Sequence, residues 1–102
     1  MIDAEHLLVV TATVDESVET EWNDWYDNFH LPEITGCPGF RSSGRYVSEE
    51  PGQERRYIAV YEIVGPAALE SPAFAARRGW DRFKDKVRFE TRHYRRIAKT
   101  AE

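Results

Sequence analysis

The sequence has one cysteine, no long apolar run and no excess of positive charge, and each shortage removes a class of function. Cys37 stands alone among 102 residues, so no disulfide forms within the chain and no thiolate metal site closes inside it. The bland reading of Cys37 is a buried or idle thiol. No stretch nears the roughly 18 apolar residues that span a bilayer, and the start MIDAEHLL lacks the basic segment and small-residue cleavage site of a secretory signal. A cytoplasmic location is the expectation. The net charge of −4 argues against a nucleic-acid partner, because phosphate contacts need a basic surface. Repeats, low-complexity tracts and linkers are also missing, and the one loop-like cluster is SEEPGQE, residues 48–54.

What is present fits one domain over residues 1–102, with 41% apolar and 13% aromatic content. A chain this short buries a small fraction of its surface, so a partner subunit is a reasonable source of further burial. Charge is unevenly spread: residues 1–54 hold twelve acids and two bases, and residues 55–102 six acids and twelve bases. The halves attract each other, although solvated pairs of this kind are worth only about 0 to 1 kcal/mol each.

His6 to Val14, HLLVVTATV, is rich in β-branched residues and reads as a strand. Asp15 and Ser17 offer helix caps, and Val18, Trp22, Trp25, Tyr26 and Phe29 fall on one helical face. Pro32 disfavours helical geometry at Leu31, so the helix is expected to stop near His30, with a structured turn through Gly36, Pro38 and Gly39. A strand from Phe40 to Ser48, the SEEPGQE turn and a strand from Arg56 to Val64 form an antiparallel hairpin. Ser71 and Pro72 then open a helix whose stripe is Leu69, Ala73, Ala76, Trp80 and Phe83, weakened at Gly79. Val87 to Ile97 reads as the last strand. The order βαββαβ predicts an α+β, ferredoxin-like fold with a four-stranded antiparallel sheet, the first and third strands central.

Those two central strands are apolar on both faces: Leu8, Val10, Ala12 and Val14 against Leu7 and Val9, and Tyr57, Ala59, Tyr61 and Ile63 against Ile58, Val60 and Val64. Two helices cover only one face, and a second copy of the sheet is the simplest cover for the other. The alternative is a monomer with a modest exposed apolar patch.

The segment WNDWYDNFHLPEITGCPGFRSSGRY, the strand RYIAVYEI and the closing HYRRI resemble the dimeric α/β barrel superfamily. The nearest likeness is to small EthD-like proteins, with a WY-x-x-x-H-x-P helix end and a PGF turn. Here these positions are Trp25, Tyr26, His30, Pro32, Pro38, Gly39 and Phe40. The resemblance implies a homodimer. Relatives of this superfamily include cofactor-free monooxygenases of aromatic polyketides, polyketide cyclases, lactone isomerases, dehydrochlorinases, haem-degrading enzymes and members with no assigned activity. A shared fold does not transfer a reaction.

His30 lies about 80° round the helix from Trp22, with Asn23 and Asp27 on the same flank. A carboxylate three residues before an imidazole can fix its tautomer, as a general base needs; the bland reading of His30 is a helix C-cap. Trp22, Tyr26, Tyr46, Tyr57, Tyr61, Trp80 and Phe83 are candidate walls for a flat ligand, and each also reads as core. Arg41 and Arg45 can bind a substrate carboxylate or phenolate, or pair with neighbouring acids. His6 and His93 lie on neighbouring strands, but a three-histidine metal site with His30 lacks close ligand spacing, and no metal is expected. The basic run RHYRRIAK reads as a solvated edge strand.

The reading is a small-molecule enzyme doing acid/base chemistry without a cofactor on a hydrophobic, aromatic or polyketide-like substrate, as a cyclase, lyase, isomerase or monooxygenase. His30 is the acid/base, Asp27 or Asn23 its orienter, and a tyrosine hydroxyl the donor to developing charge. The alternatives are a non-catalytic ligand-binding or accessory protein using the same pocket, and a haem-binding protein with His30 as axial ligand.

Overall fold

A computed structural model describes residues 3–100. Four strands, β1 (His6–Val14), β2 (Phe40–Val47), β3 (Tyr57–Ile63) and β4 (Val87–Arg95), form one antiparallel sheet in the order β2-β3-β1-β4. The fold is α+β and ferredoxin-like, with β1 and β3 central as their two apolar faces require. The last strand ends two residues before the expected Ile97.

Helices α1 (Glu19–Trp25), α2 (Leu31–Thr35) and α3 (Pro72–Arg77) cover one face. Asp15 accepts from the Ser17 backbone N–H and caps the short 3-10 turn Glu16–Val18 that leads into α1. Ser71 accepts from the Phe74 N–H and caps α3.

The first helical segment does not stop at His30. A π turn, Tyr26–His30, joins α1 to α2, and the Leu31 N–H reaches back to the Tyr26 carbonyl. Pro32 sits in the first turn of α2, where its missing N–H removes no needed bond. The widened turn is how the chain passes a proline that would break a regular helix. It also turns His30 inward and leaves Phe29, expected on the apolar stripe, 53% exposed.

The expected second helix is broken into pieces. A 3-10 turn (Pro66–Glu70) precedes α3, and α3 ends before Gly79, whose φ of 113° is a left-handed value that favours glycine. Trp80 and a further 3-10 turn, Asp81–Phe83, follow. Gly39, at φ 85°, makes the PGF turn possible, since a Cβ there would stand 2.8 Å from the Ala68 Cβ.

Leu8, Ala12, Ala59, Tyr61 and Ile63 of the sheet pack with Trp22, Tyr26, Ile34, Phe74, Trp80 and Phe83 in one core. Leu7, Val9, Ile58 and Val60 point the other way, where they are only half-buried and outside that core. Tyr46 and Tyr94 share this outer face and are 61% and 47% exposed. Ion pairs Arg55–Glu19 and Arg88–Glu54 link the base-rich and acid-rich halves. Among the described residues no helix is long and apolar enough to cross a membrane.

Candidate functional site

Between the helical layer and the sheet lies a cavity of about 80 Å³. Leu8 and Val10 of β1, Tyr61 of β3, and Phe89 and Thr91 of β4 form its floor; Tyr26, His30 and Ile34 form one wall, and Phe74, Arg78, Gly79 and Trp80 the other. The π turn and the break at Gly79 both open onto this space. Wider hollows of about 560 Å³ by Glu19 and Arg55, and about 530 Å³ beside Leu7 and Val9, lie on the surface and hold neither His30 nor its aromatic neighbours.

His30 is 5% exposed. Its ring stacks on Trp25 at 4.6 Å with 12° between planes, and meets Tyr26 edge-on at 4.9 Å. Burial holds the imidazole below its ordinary pKa; Glu33 opposes that shift and Arg45 adds to it. The Nδ1 is 3.6 Å from the Glu33 carboxylate, too far for a hydrogen bond, and is left without a partner. Neutral imidazole is therefore the favoured form at neutral pH, with its Nδ1 buried on the Glu33 side.

The hydroxyls of Tyr26 and Tyr61 are hydrogen-bonded at 3.0 Å. Burial raises the pKa of both above the ordinary phenol value, so both stay protonated and one O–H remains to donate elsewhere. The buried indole N–H of Trp80 has no acceptor. A base and several donors therefore border one small aromatic space, which suits proton abstraction with stabilisation of the resulting oxyanion.

Asp27 and Asn23 are not the partners of His30. The Asp27 carboxylate accepts from the Arg45 guanidinium at 2.6 Å, and the Asn23 side-chain oxygen accepts from it at 2.9 Å. The widened turn separates Asp27 from His30 and brings Glu33, three residues later, to the imidazole instead. Arg45 lies 4.2 Å over the Tyr26 ring and near those of Trp22 and Tyr57. Its two terminal nitrogens are taken up by Asp27 and Asn23, and its buried Nε has no partner. Tyr57 donates to the Glu19 carboxylate and accepts from Asn23.

Trp22 is fully buried and Phe83 packs against Trp25, and neither lines the cavity. Arg41 is the extra residue of a bulge between Phe40 and Ser42 and is exposed, and Tyr46 is on the opposite face of the sheet. Of the expected site residues, the cavity brings together His30, Tyr26, Tyr61 and Trp80. It adds Arg78, Phe74, Phe89 and Thr91, which sequence reasoning missed; the Arg78–Gly79 step after an apolar helix was the one available signal.

His6 and His93 are hydrogen-bonded ring to ring at 2.9 Å, each two residues along its strand from the cavity-lining Leu8 and Thr91. Cys37 is buried, with its thiol directed at the Glu33 carbonyl. Among the described residues no three His, Cys, Asp or Glu side chains gather as a metal-holding group.

A family model for a domain of unknown function, DUF4286, matches residues 5–100. The chain belongs to the DUF4286 family. No curated protein matches it. Solved structures place this DUF4286 chain within the ferredoxin-like fold. HapK from Hahella chejuensis is 13% identical with a TM-score of 0.69, over 95% of this chain and 97% of its own. SnoaB, a cofactor-independent oxygenase from Streptomyces nogalater, is 13% identical with a TM-score of 0.67, over 97% of this chain and 100% of its own. A dimeric ferredoxin-like protein from an uncultured marine organism is 11% identical with a TM-score of 0.59, over 93% of this chain and 96% of its own. At such identities these likenesses concern the fold of the DUF4286 chain alone, which is α+β and ferredoxin-like.

Proposed function

We propose that this chain is a homodimeric small-molecule enzyme that moves protons without a cofactor, on a hydrophobic aromatic or polyketide-like substrate. The observation that carries the reading is a buried, neutral His30 facing the same cavity as the Tyr26–Tyr61 hydroxyl pair. In this scheme His30 takes a proton from an activated carbon or phenol, and the free tyrosine O–H and the Trp80 N–H donate to the oxyanion that forms. Arg45, held by Asp27 and Asn23, supports Tyr26 from behind. The carbanion then cyclises, eliminates, reprotonates elsewhere or reacts with dioxygen. The oxygenase named among the structural neighbours supports the last of these.

The cavity is far below the roughly 300 to 1,000 Å³ of drug-sized ligand pockets. It takes one ring of a substrate after its rim yields, at the half-exposed Phe89. The smallness of the cavity is what favours a non-catalytic or accessory protein, and the free space is far smaller than a haem; the buried histidine beside the hydroxyl pair favours the enzyme. The apolar outer face of β1 and β3, and a neighbour that is itself a dimeric ferredoxin-like protein, support a two-fold dimer through that face. The WY-x-x-x-H-x-P and PGF positions support a nearer kinship with EthD-like proteins.

Exchange of the benzylic protons of phenylacetone in heavy water, followed by proton NMR, tests the chemistry without knowledge of the true substrate. Wild type is expected to accelerate exchange by about 10²-fold over His30→Gln, the usual scale for a general base. Oxygen uptake in the same tube identifies the oxygenase branch. Equal exchange by both proteins would remove His30 from the chemistry.

A further inference from the structure

The lining of the cavity is asymmetric in charge. The chain holds 18 acids and 14 bases, yet no carboxylate lines this space, and its one formally charged side chain is Arg78. The other residues with polar side-chain groups that line it are Tyr26, Tyr61, Thr91, Trp80 and His30. Nearly all of them can donate a hydrogen bond.

Arg78 is placed by the break in the helical layer. It follows the last residue of α3 in an extended conformation, with φ −69° and ψ 158°, and precedes Gly79 in its left-handed one. Its guanidinium lies 5.4 Å from the ring of Phe74, another wall of the same cavity. Its neighbour Arg77 is directed to the Glu33 carbonyl and the Cys37 sulfur. Arg45 is spent on Asp27 and Asn23. Arg78 has no carboxylate partner among the described residues, and it is the guanidinium left for a ligand.

We infer that Arg78 reads a carboxylate on the ring-bearing ligand of this cavity, so the substrate class is an aromatic acid. The inference rests on the cavity being the ligand site, and it names which ligands that site prefers. The planar fork of a guanidinium matches a carboxylate in two parallel hydrogen bonds, and stacking on Phe74 holds the fork in place. The acidic chain as a whole repels anions, at net charge −4, so any preference for an anion must come from a local cation. The ring then lies against Phe89 and Trp80, with its reacting carbon toward His30 and the tyrosine hydroxyls.

Benzoate and benzamide, equal in shape and different in charge, are the probes. Their binding to the intact protein is read from shifts of the Trp80 indole N–H in nitrogen-15 NMR spectra. Benzoate is expected to bind about tenfold more tightly than benzamide, the scale of one charge-assisted contact at a half-exposed site. Arg78→Gln should abolish that preference while benzamide still shifts the Trp80 signal, and Arg78→Lys keeps part of it. The benzamide control shows that the variant still folds and still has its cavity. Equal binding of both probes by wild type, or a preference that survives in Arg78→Gln, overturns the role of Arg78 and leaves the ligand site standing. Failure of both probes to shift the Trp80 signal overturns the site along with it.

Discussion

The Tyr26 hydroxyl on the π turn and the Tyr61 hydroxyl on β3 meet at 3.0 Å across the layer between helices and sheet. One proton is spent in that contact and the other is free to donate. Because burial keeps both phenols protonated, the pair acts as a donor and not as a base. Tyr61→Phe is therefore expected to lower turnover by about 10² to 10³-fold, as loss of an oxyanion donor does. Stability should fall by about 1 to 2 kcal/mol, because the Tyr26 hydroxyl loses its partner inside the core. Urea unfolding and the exchange rate of phenylacetone measure the two effects separately, and an unchanged rate would remove the donor role.

The outer face of the sheet gives a second prediction. Leu7, Val9, Ile58 and Val60 lie there outside the core, with the exposed rings of Tyr46 and Tyr94 beside them. Light scattering at micromolar concentration should give about twice the 11.9 kDa of the chain. Val60→Lys puts a charge in the middle of that face and should return the mass to that of one chain. A wild-type monomer would refute the dimer, and a dimer untouched by Val60→Lys would move the interface elsewhere.

Metal removal is the third test. Neither the lone buried Cys37 nor the His6–His93 pair is joined by further ligands among the described residues. Dialysis against EDTA should leave the melting temperature unchanged. A marked fall would show that a bound ion holds the fold.

Much of the fold is legible in the sequence because its signals are local. The β-branched run of β1 matches residue for residue, and the hairpin of β2 and β3 falls within a residue of its turn signals. The two apolar faces of β1 and β3 already place them at the centre. What escaped was the helical layer, where tertiary contacts override a local rule. Pro32 reads as a stop, yet Trp22, Tyr26, His30 and Ile34 recur at every fourth residue and all are buried. In a regular α-helix such a stripe drifts by about 40° at each step. The π turn reduces that drift, and the strict four-residue spacing was the sign of it. Pairing of Arg45 with an acid was legible, but not that the acid is Asp27, which depends on the register of β2 against the helix.

His30 carries the last prediction, because its burial makes it informative about both stability and rate. Its folded-state pKa lies below the ordinary 6.5, chiefly from loss of solvent. In the unfolded chain the ring takes up a proton near that value, while the folded protein resists it. The stabilising contribution is therefore complete above about pH 6.5 and falls as pH drops, by about 1.4 kcal/mol per unit until the folded pKa is reached. His30→Gln should flatten this part of the curve of stability against pH. The same depression keeps the base unprotonated below pH 6.5, so the acid limb of kcat/KM should lie below the ordinary imidazole range. His30→Ala should also lose about 2 to 3 kcal/mol, since it leaves a hole beside Trp25, Tyr26 and Trp80. His30→Gln fills more of that space, so its rate loss can be read on a folded protein. An acid limb above pH 7 would mean that Glu33, not burial, sets the charge of His30. An acid loss of stability that persists unchanged in His30→Gln would place the titrating group elsewhere.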